Sequence, residues 1–253
     1  MMISVLERPR ELTANRFKVN LEKALEELKT ELTASTKLDG FSSKGWARID
    51  VDGEDHEILE ELIIKKFGRA HKNLHEIEIP GVYDSILAES SSQGLEADVG
   101  IESPSPLTCI LPLGNLVAQL ADGKPTSCRQ LIENYCLFPG VKISVRITKR
   151  RADAMQAWLS DSQMNQFSDW ITEGLDRIQI FDCYKQDVES AILKAGLSRD
   201  IITVEPITLT VQSVICKLGT DAIGLIPKLG SVLRRCALRP FVPKRIMARC
   251  RPW

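Results

Sequence analysis

VKISVRI, residues 141–147, alternates apolar and polar side chains without a break, the pattern of a strand with one face buried and the other in water. Three further extended segments precede it: Ile77–Ala88 (IEIPGVYDSILA), Gly94–Ile101 (GLEADVGI) and Thr108–Leu113 (TCILPL). Small polar residues, ESSSQ and SPSP, separate them and favour turns. Between the third segment and VKISVRI, Asn115–Leu120 and Ser127–Leu137 read as short helices, and Met155–Leu159 supplies a fifth strand. Strand, strand, strand, helix, strand, strand is the order of a five-stranded OB-type barrel.

The flanks read differently. Upstream, Ile3–Leu6 is a short apolar strand, and Phe17, Leu21, Leu25, Leu28 and Leu32 recur at helical spacing. A turn is expected at Asp39–Gly40, a half-buried strand at Trp46–Val51, and a helix on Ile58, Leu59, Leu62, Ile63 and Phe67 that Gly68 would stop. Downstream, Ser162–Leu175 suits a helix, Arg177–Phe181 a strand, Val188, Ile192 and Leu193 a helical face, and Ile201–Val204 a strand. Thr208–Cys216 suits either state. The expected fold is thus α+β and multi-domain: an N-terminal α/β module over residues 1–76, an OB-type barrel over 77–160 and a C-terminal α/β module with a basic tail over 161–253.

Composition sets outer bounds. The chain has 253 residues, 43% apolar and 26% charged, with a formal net charge of -1, which is ordinary for a globular protein. No apolar run is long enough to span a bilayer and the first residues are too charged for a secretory signal, so a cytoplasmic protein is expected. The seven cysteines are scattered without a C-x-x-C pair, which suggests reduced, mostly buried thiols.

The charge is unevenly spread. VDGEDHEILE, residues 51–60, holds five acids and no Lys or Arg; these could hold a cation or could favour a helix N-terminus, and the second reading is preferred. Residues 231–253 hold Arg234, Arg235, Arg239, Lys244, Arg245, Arg249 and Arg251 and no acid. A second basic cluster, Lys142, Arg146, Lys149, Arg150 and Arg151, lies on or just beyond VKISVRI. Such clusters can neutralise phosphates, or they can be solvated basic faces.

Signatures of catalysis are weak. His71 and His75 are four residues apart and could share a helical face, but with only His56 besides them no zinc-protease pattern forms, and no metal site is assigned. Lys217, Gly219, Thr220 and Asp221, in CKLGTDAIGLIPKLG, could form an anion-binding loop or a helix cap with Gly230 as a later stop; the spacing of a phosphate-binding loop is absent. Dinucleotide-binding glycines and the nucleophile elbow are also missing, so no cofactor is assigned and a non-catalytic role is preferred.

Two resemblances extend this reading. Gly94-x-x-x-Asp98-Val99-Gly100, ILPLGNL and Pro139–Ile147 resemble the second, third and fourth strands of the ribosomal-protein S-one subtype of OB barrel. That resemblance implies a nucleic-acid platform on the second and third strands, yet Glu96 stands where a stacking ring is expected and Tyr83 on the first strand is the available substitute. LPLGNLVAQLADGKPTSCRQLIENYCLFPGVKISVRIT, LSDSQMNQFSDWITEGLDRIQIFD and VICKLGTDAIGLIPKLG resemble an archaeal family carrying domain of unknown function 2110. It implies a cytosolic location and the central barrel, and by analogy points toward RNA or translation.

The leading expectation is an RNA- or ribosome-associated binding protein that contacts phosphates through Lys142, Arg146, Lys149, Arg150 and the terminal arginines. A protein-interaction scaffold or homodimer without a nucleic-acid role is the first alternative. An enzyme acting on a phosphorylated or nucleotide substrate near Lys217–Asp221 is the second.

Overall fold

A computed structural model describes residues 1–9, 14–150 and 154–250. The first module comprises β1 (Met2–Ser4), α1 (Ala14–Leu28), β2 (Ala34–Phe41), β3 (Ala47–Gly53) and α2 (His56–Phe67). Its sheet is antiparallel, in the order β1-β3-β2. Phe17, Leu21 and Leu25 from α1 and Leu59, Ile63 and Phe67 from α2 close over Ala47, Ile49 and Val51. Gly68 ends α2, its N–H reaching the Ile64 carbonyl at 2.8 Å.

Two expectations for this module are corrected. Asp39–Gly40 lies inside β2 at a register shift between Leu38 and Phe41, and the chain reverses afterwards, where Gly45 N–H meets Ser42 O at 2.9 Å. The strand is largely polar because it is an edge, with neither face fully covered. His71 and His75 share no helix: the chain is irregular at His71 and makes a single 3-10 turn at Leu74–Glu76.

The middle of the chain closes on itself. β4 (Gly81–Ser91), β5 (Gly94–Asp98) and β6 (Cys109–Pro112) are followed by α3 (Leu113–Leu120), α4 (Cys128–Tyr135), β7 (Lys142–Arg150) and β8 (Met155–Leu159). The strands form a barrel in the order β4-β5-β6-β8-β7, with β6 and β8 parallel and every other pair antiparallel, the OB-type arrangement. Ile143, Val145 and Ile147 point into its core, which leaves Lys142, Ser144 and Arg146 on the outer face.

The glycine motif holds this geometry. At Gly94, φ is +150° and a Cβ would sit 2.2 Å from the Leu111 carbonyl oxygen of the neighbouring strand. The Asp98 carboxylate accepts the Gly100 N–H at 2.8 Å and both its oxygens lie 2.9 Å from Lys44 Nζ, tying the barrel to the first module.

The last module comprises α5 (Asp161–Glu173), β9 (Arg177–Phe181), α6 (Lys185–Lys194), β10 (Ile201–Pro206), β11 (Val211–Cys216), α7 (Ala222–Val232), β12 (Ala237–Phe241) and α8 (Pro243–Arg249). From β9 to β12 the order is β-α-β-β-α-β in an antiparallel sheet, β10-β11-β9-β12, a ferredoxin-like split β-α-β. The ambiguous segment 208–216 resolves into a turn and then β11, because Ile207 and Thr208 N–H groups fold back onto the Val211 carbonyl. Gly230 lies within α7 instead of ending it.

The basic end is a strand and a helix, not a tail. β12 pairs with β9 from Ala237 opposite Phe181 to Phe241 opposite Arg177, and Pro240 is tolerated because β12 is the sheet edge. One face of the sheet is covered by α6 and α7 through Ile178, Ile180, Val188, Val214 and Leu229. Its other face lies against the barrel. Phe181, Val211 and Phe241 join the barrel's own core, with ring contacts from Phe138 to Phe181 at 5.8 Å and from Tyr135 to Phe241 at 6.4 Å.

Candidate nucleic-acid interface

The outer surface of the barrel is less cationic than its sequence. Lys142 Nζ donates to the Lys66 carbonyl at 3.0 Å and stands 4.0 Å from Asp84, so its charge is turned toward the first module. Arg146 is ion-paired with Asp161. It lies between Val82 on β4 and Trp158 on β8, a half-buried ring that alternation along MQAWL placed outward. Lys149 and Arg150 are exposed at the end of β7, and Arg151 falls outside the described residues.

Tyr83 is engaged at both ends. Its hydroxyl accepts the Glu78 N–H at 2.6 Å and donates to the Glu78 carbonyl at 3.1 Å, while its ring meets His71 edge-on at 5.0 Å. Burial lowers the pKa of His71, which favours the neutral ring at neutral pH. The outer row across β4, β5 and β6 is Glu89, Glu96 and Ile110, two carboxylates and an aliphatic chain. Acids there repel phosphate, and no ring offers a base a stacking surface.

A different surface gathers the arginines. A cleft of about 860 Å³ lies between the barrel and the last module, bounded by the β4–β5 turn, the start of α4, β12 and α8. Arg129, Arg239, Arg245 and Arg249 line it with the serines at 90–92, and among the described residues Glu133 is the only acid in its wall. Arg239 stacks over the Phe138 ring at 4.9 Å, which orients the guanidinium without neutralising it. Arg129 pairs with Glu133 at 2.8 Å on a largely exposed side chain. Ser127 caps α4 by accepting the Gln130 N–H at 3.3 Å, so the positive end of that helix also opens here.

The cleft unites residues distant in sequence. Arg239 and Arg245 belong to the basic end, but Arg129 sits alone on α4 and carries no cluster signal; only the docking of β12 and α8 on α4 brings it in. Arg234, Arg235 and Lys244 are exposed outside this wall, with Arg234 Nε donating to the Ser231 carbonyl at 3.3 Å.

Lys217–Asp221 forms a turn and a cap. Thr220 N–H donates to Lys217 O at 3.0 Å around Gly219, whose φ is +85°. Asp221 then caps α7 by accepting the Ile223 N–H at 3.0 Å, and Asp176 takes the Ala222 N–H at 3.2 Å. Two carboxylates on one helix start oppose an incoming anion. Among the described residues no three His, Cys, Asp or Glu side chains are grouped as a metal would need.

Two other sites carry shifted titrations. Glu7 is buried between the first and last modules, where desolvation pushes its carboxyl up to about 8 despite the Leu209 N–H at 2.7 Å and the pull of Lys142. Cys183 and Cys236 titrate together, the pairing raising the first thiol and lowering the second, and the Cys236 S–H reaches the Asp182 carbonyl at 3.7 Å. All seven cysteines are free, and Cys236 alone is not fully buried. No described helix is long and apolar enough to cross a membrane.

An OB-type barrel between two α/β modules, with an arginine-lined cleft at one seam, defines a multi-module α+β protein. Residues 80–171 match the DUF2110 central domain and residues 175–238 the DUF2110 C-terminal domain. The chain therefore belongs to the DUF2110 family. No curated protein matches it. The boundary between the two matched domains falls at the end of α5, which packs on β7 and α8.

Proposed function

We propose that this protein binds RNA or a ribonucleoprotein without catalysis, gripping phosphates in the cleft lined by Arg129, Arg239, Arg245 and Arg249. The observation that carries the reading is that cleft: four guanidinium groups around about 860 Å³ with a single carboxylate in the wall among the described residues. Guanidinium groups present forked donors that match phosphate oxygens, and the serine hydroxyls at 90–92 add neutral donors beside them. In OB-type barrels the turn between the first two strands commonly rims the ligand surface, and that turn borders this cleft.

Lys149 and Arg150, exposed at the end of β7, would make secondary, sequence-independent contacts. The acidic row Glu89–Glu96 directs the nucleic acid away from the usual strand platform. S-one-like recognition by base stacking is therefore replaced, in this reading, by phosphate and shape contact. We place the protein in the cytosol, where its free thiols stay reduced.

Electrophoretic titration of structured RNA at low and at moderate salt tests the reading. Binding that weakens steeply with salt is expected. Absence of binding at low salt would remove the proposal, and partners that co-purify unchanged after nuclease treatment would favour a protein scaffold instead.

A further inference from the structure

Two adjoining cavities of about 510 and 390 Å³ lie where the three modules meet, and their walls share Lys66, Pro206 and Ile207. Both fall in the size range of small-molecule sites, roughly 300–1,000 Å³. Their chemistry sets them apart from the arginine cleft. Eight buried side-chain N or O atoms among the described residues lack a hydrogen-bond partner, and four of them, Gln179 Oε1, Ser213 Oγ, Tyr184 Oη and Gln212 Oε1, belong to residues that line these two cavities. Buried polar atoms are rarely left unpaired, so their concentration at one seam points to an occupant that pairs with them.

Gln179 and Ser213 supply the geometry. They stand directly opposite each other on β9 and β11, 1% and 0% exposed, on the sheet face turned to the barrel. An amide oxygen thus accepts beside a hydroxyl that donates. Trp170, Phe167 and Tyr135 line the same larger cavity and give it aromatic walls. Most of the nearby cations are matched: Lys142 lies by Asp84, Lys66 by Glu27, Lys185 by Glu189, and Arg177 by Glu173 and Glu205, while Lys23 and Lys65, both on exposed positions of the walls, have no carboxylate partner among the described residues. The unpaired buried atoms themselves are neutral amide and hydroxyl groups, which suit an uncharged ligand.

We propose that this junction binds a small uncharged heterocycle of the nucleobase class, its N–H received by Gln179 Oε1 and its carbonyl or ring nitrogen by the Ser213 hydroxyl. The aromatic walls suit a flat ring, and the adjacent acceptor and donor suit a ring edge that alternates N–H with an acceptor. The proposal does not rest on the arginine cleft.

The experiment uses the full chain and four nucleosides: adenosine, guanosine, cytidine and uridine. They carry no phosphate, so a response cannot come from phosphate capture at the arginines. At least one should raise the Tm of the wild-type protein and show a nuclear Overhauser contact to the Trp170 indole. Gln179→Leu and Ser213→Ala should each weaken that nucleoside about tenfold. If Gln179→Leu fails to fold, the Trp170 contact in the wild type decides. No Tm change with any nucleoside, wild-type affinity retained in both variants, or bound nucleoside without the Trp170 contact would each overturn the proposal.

Discussion

At the residue scale, single groups matter through what surrounds them. Cys236 is the clearest case: the neighbouring Cys183 lowers its pKa, its S–H reaches the Asp182 carbonyl at 3.7 Å, and it is the least buried of the seven thiols. Iodoacetamide at neutral pH is expected to label Cys236 first, and Cys183→Ala to slow that labelling; peptide mass mapping over time checks both. Glu7 makes a pH prediction. Its folded pKa of about 8 lies above its ordinary value of 4.5, so the folded state keeps a proton that the unfolded chain releases. Stability should fall as pH rises from about 4.5 to 8 and then level off, by on the order of 5 kcal/mol at most. Denaturation of Glu7→Gln at pH 5 and pH 8 should show this slope largely removed. None of these partnerships is legible in sequence, because Glu7 meets Leu209 only after the modules dock and Cys183 meets Cys236 only once the last module has folded. The Asp98–Lys44 pair is similar: the glycine motif marked the strand but not its lock. Lys44→Met would leave the buried Asp98 carboxylate unpaired and should cost about 3 kcal/mol or more in urea unfolding.

At the element scale, clean periodicity was enough for most of the fold. The alternation of VKISVRI gave β7, and the sequence of short strands around two helices gave the barrel order that closure confirms. The elements that escaped are those whose burial comes from elsewhere. β2 is a polar edge, and β12 carries Pro240 and two exposed arginine-rich flanks, so neither alternates strongly enough to read. β12 nevertheless seats Phe241 fully inside the shared core beside Tyr135 and Trp170. Phe241→Ala should therefore destabilise by about 3–5 kcal/mol in denaturant titration, whereas a truly frayed tail would tolerate the change. The histidine pair failed for the opposite reason: spacing of four residues implies a shared face only on a helix, and this stretch is irregular.

At the scale of the whole molecule, the seams between modules carry the candidate sites. The positive charge of the last 23 residues was legible, but its organisation was not: Arg239 and Arg245 reach the cleft, Arg234, Arg235 and Lys244 do not, and Arg129 enters from a helix of the barrel. Of the β7 cluster, Lys142 and Arg146 are held by Asp84 and Asp161, and the exposed Lys149 and Arg150 remain as outlying contacts. The most direct measurement is the salt dependence of RNA affinity for the wild type, Arg239→Ala/Arg245→Ala and Lys149→Ala/Arg150→Ala, each followed from low to moderate salt. Loss of the two cleft arginines should weaken binding by tenfold or more and flatten the slope of log K against log salt by about 2, with a smaller change for the β7 pair. An unchanged affinity and slope in Arg239→Ala/Arg245→Ala, with the wild type binding RNA tightly, would contradict the cleft as the phosphate site.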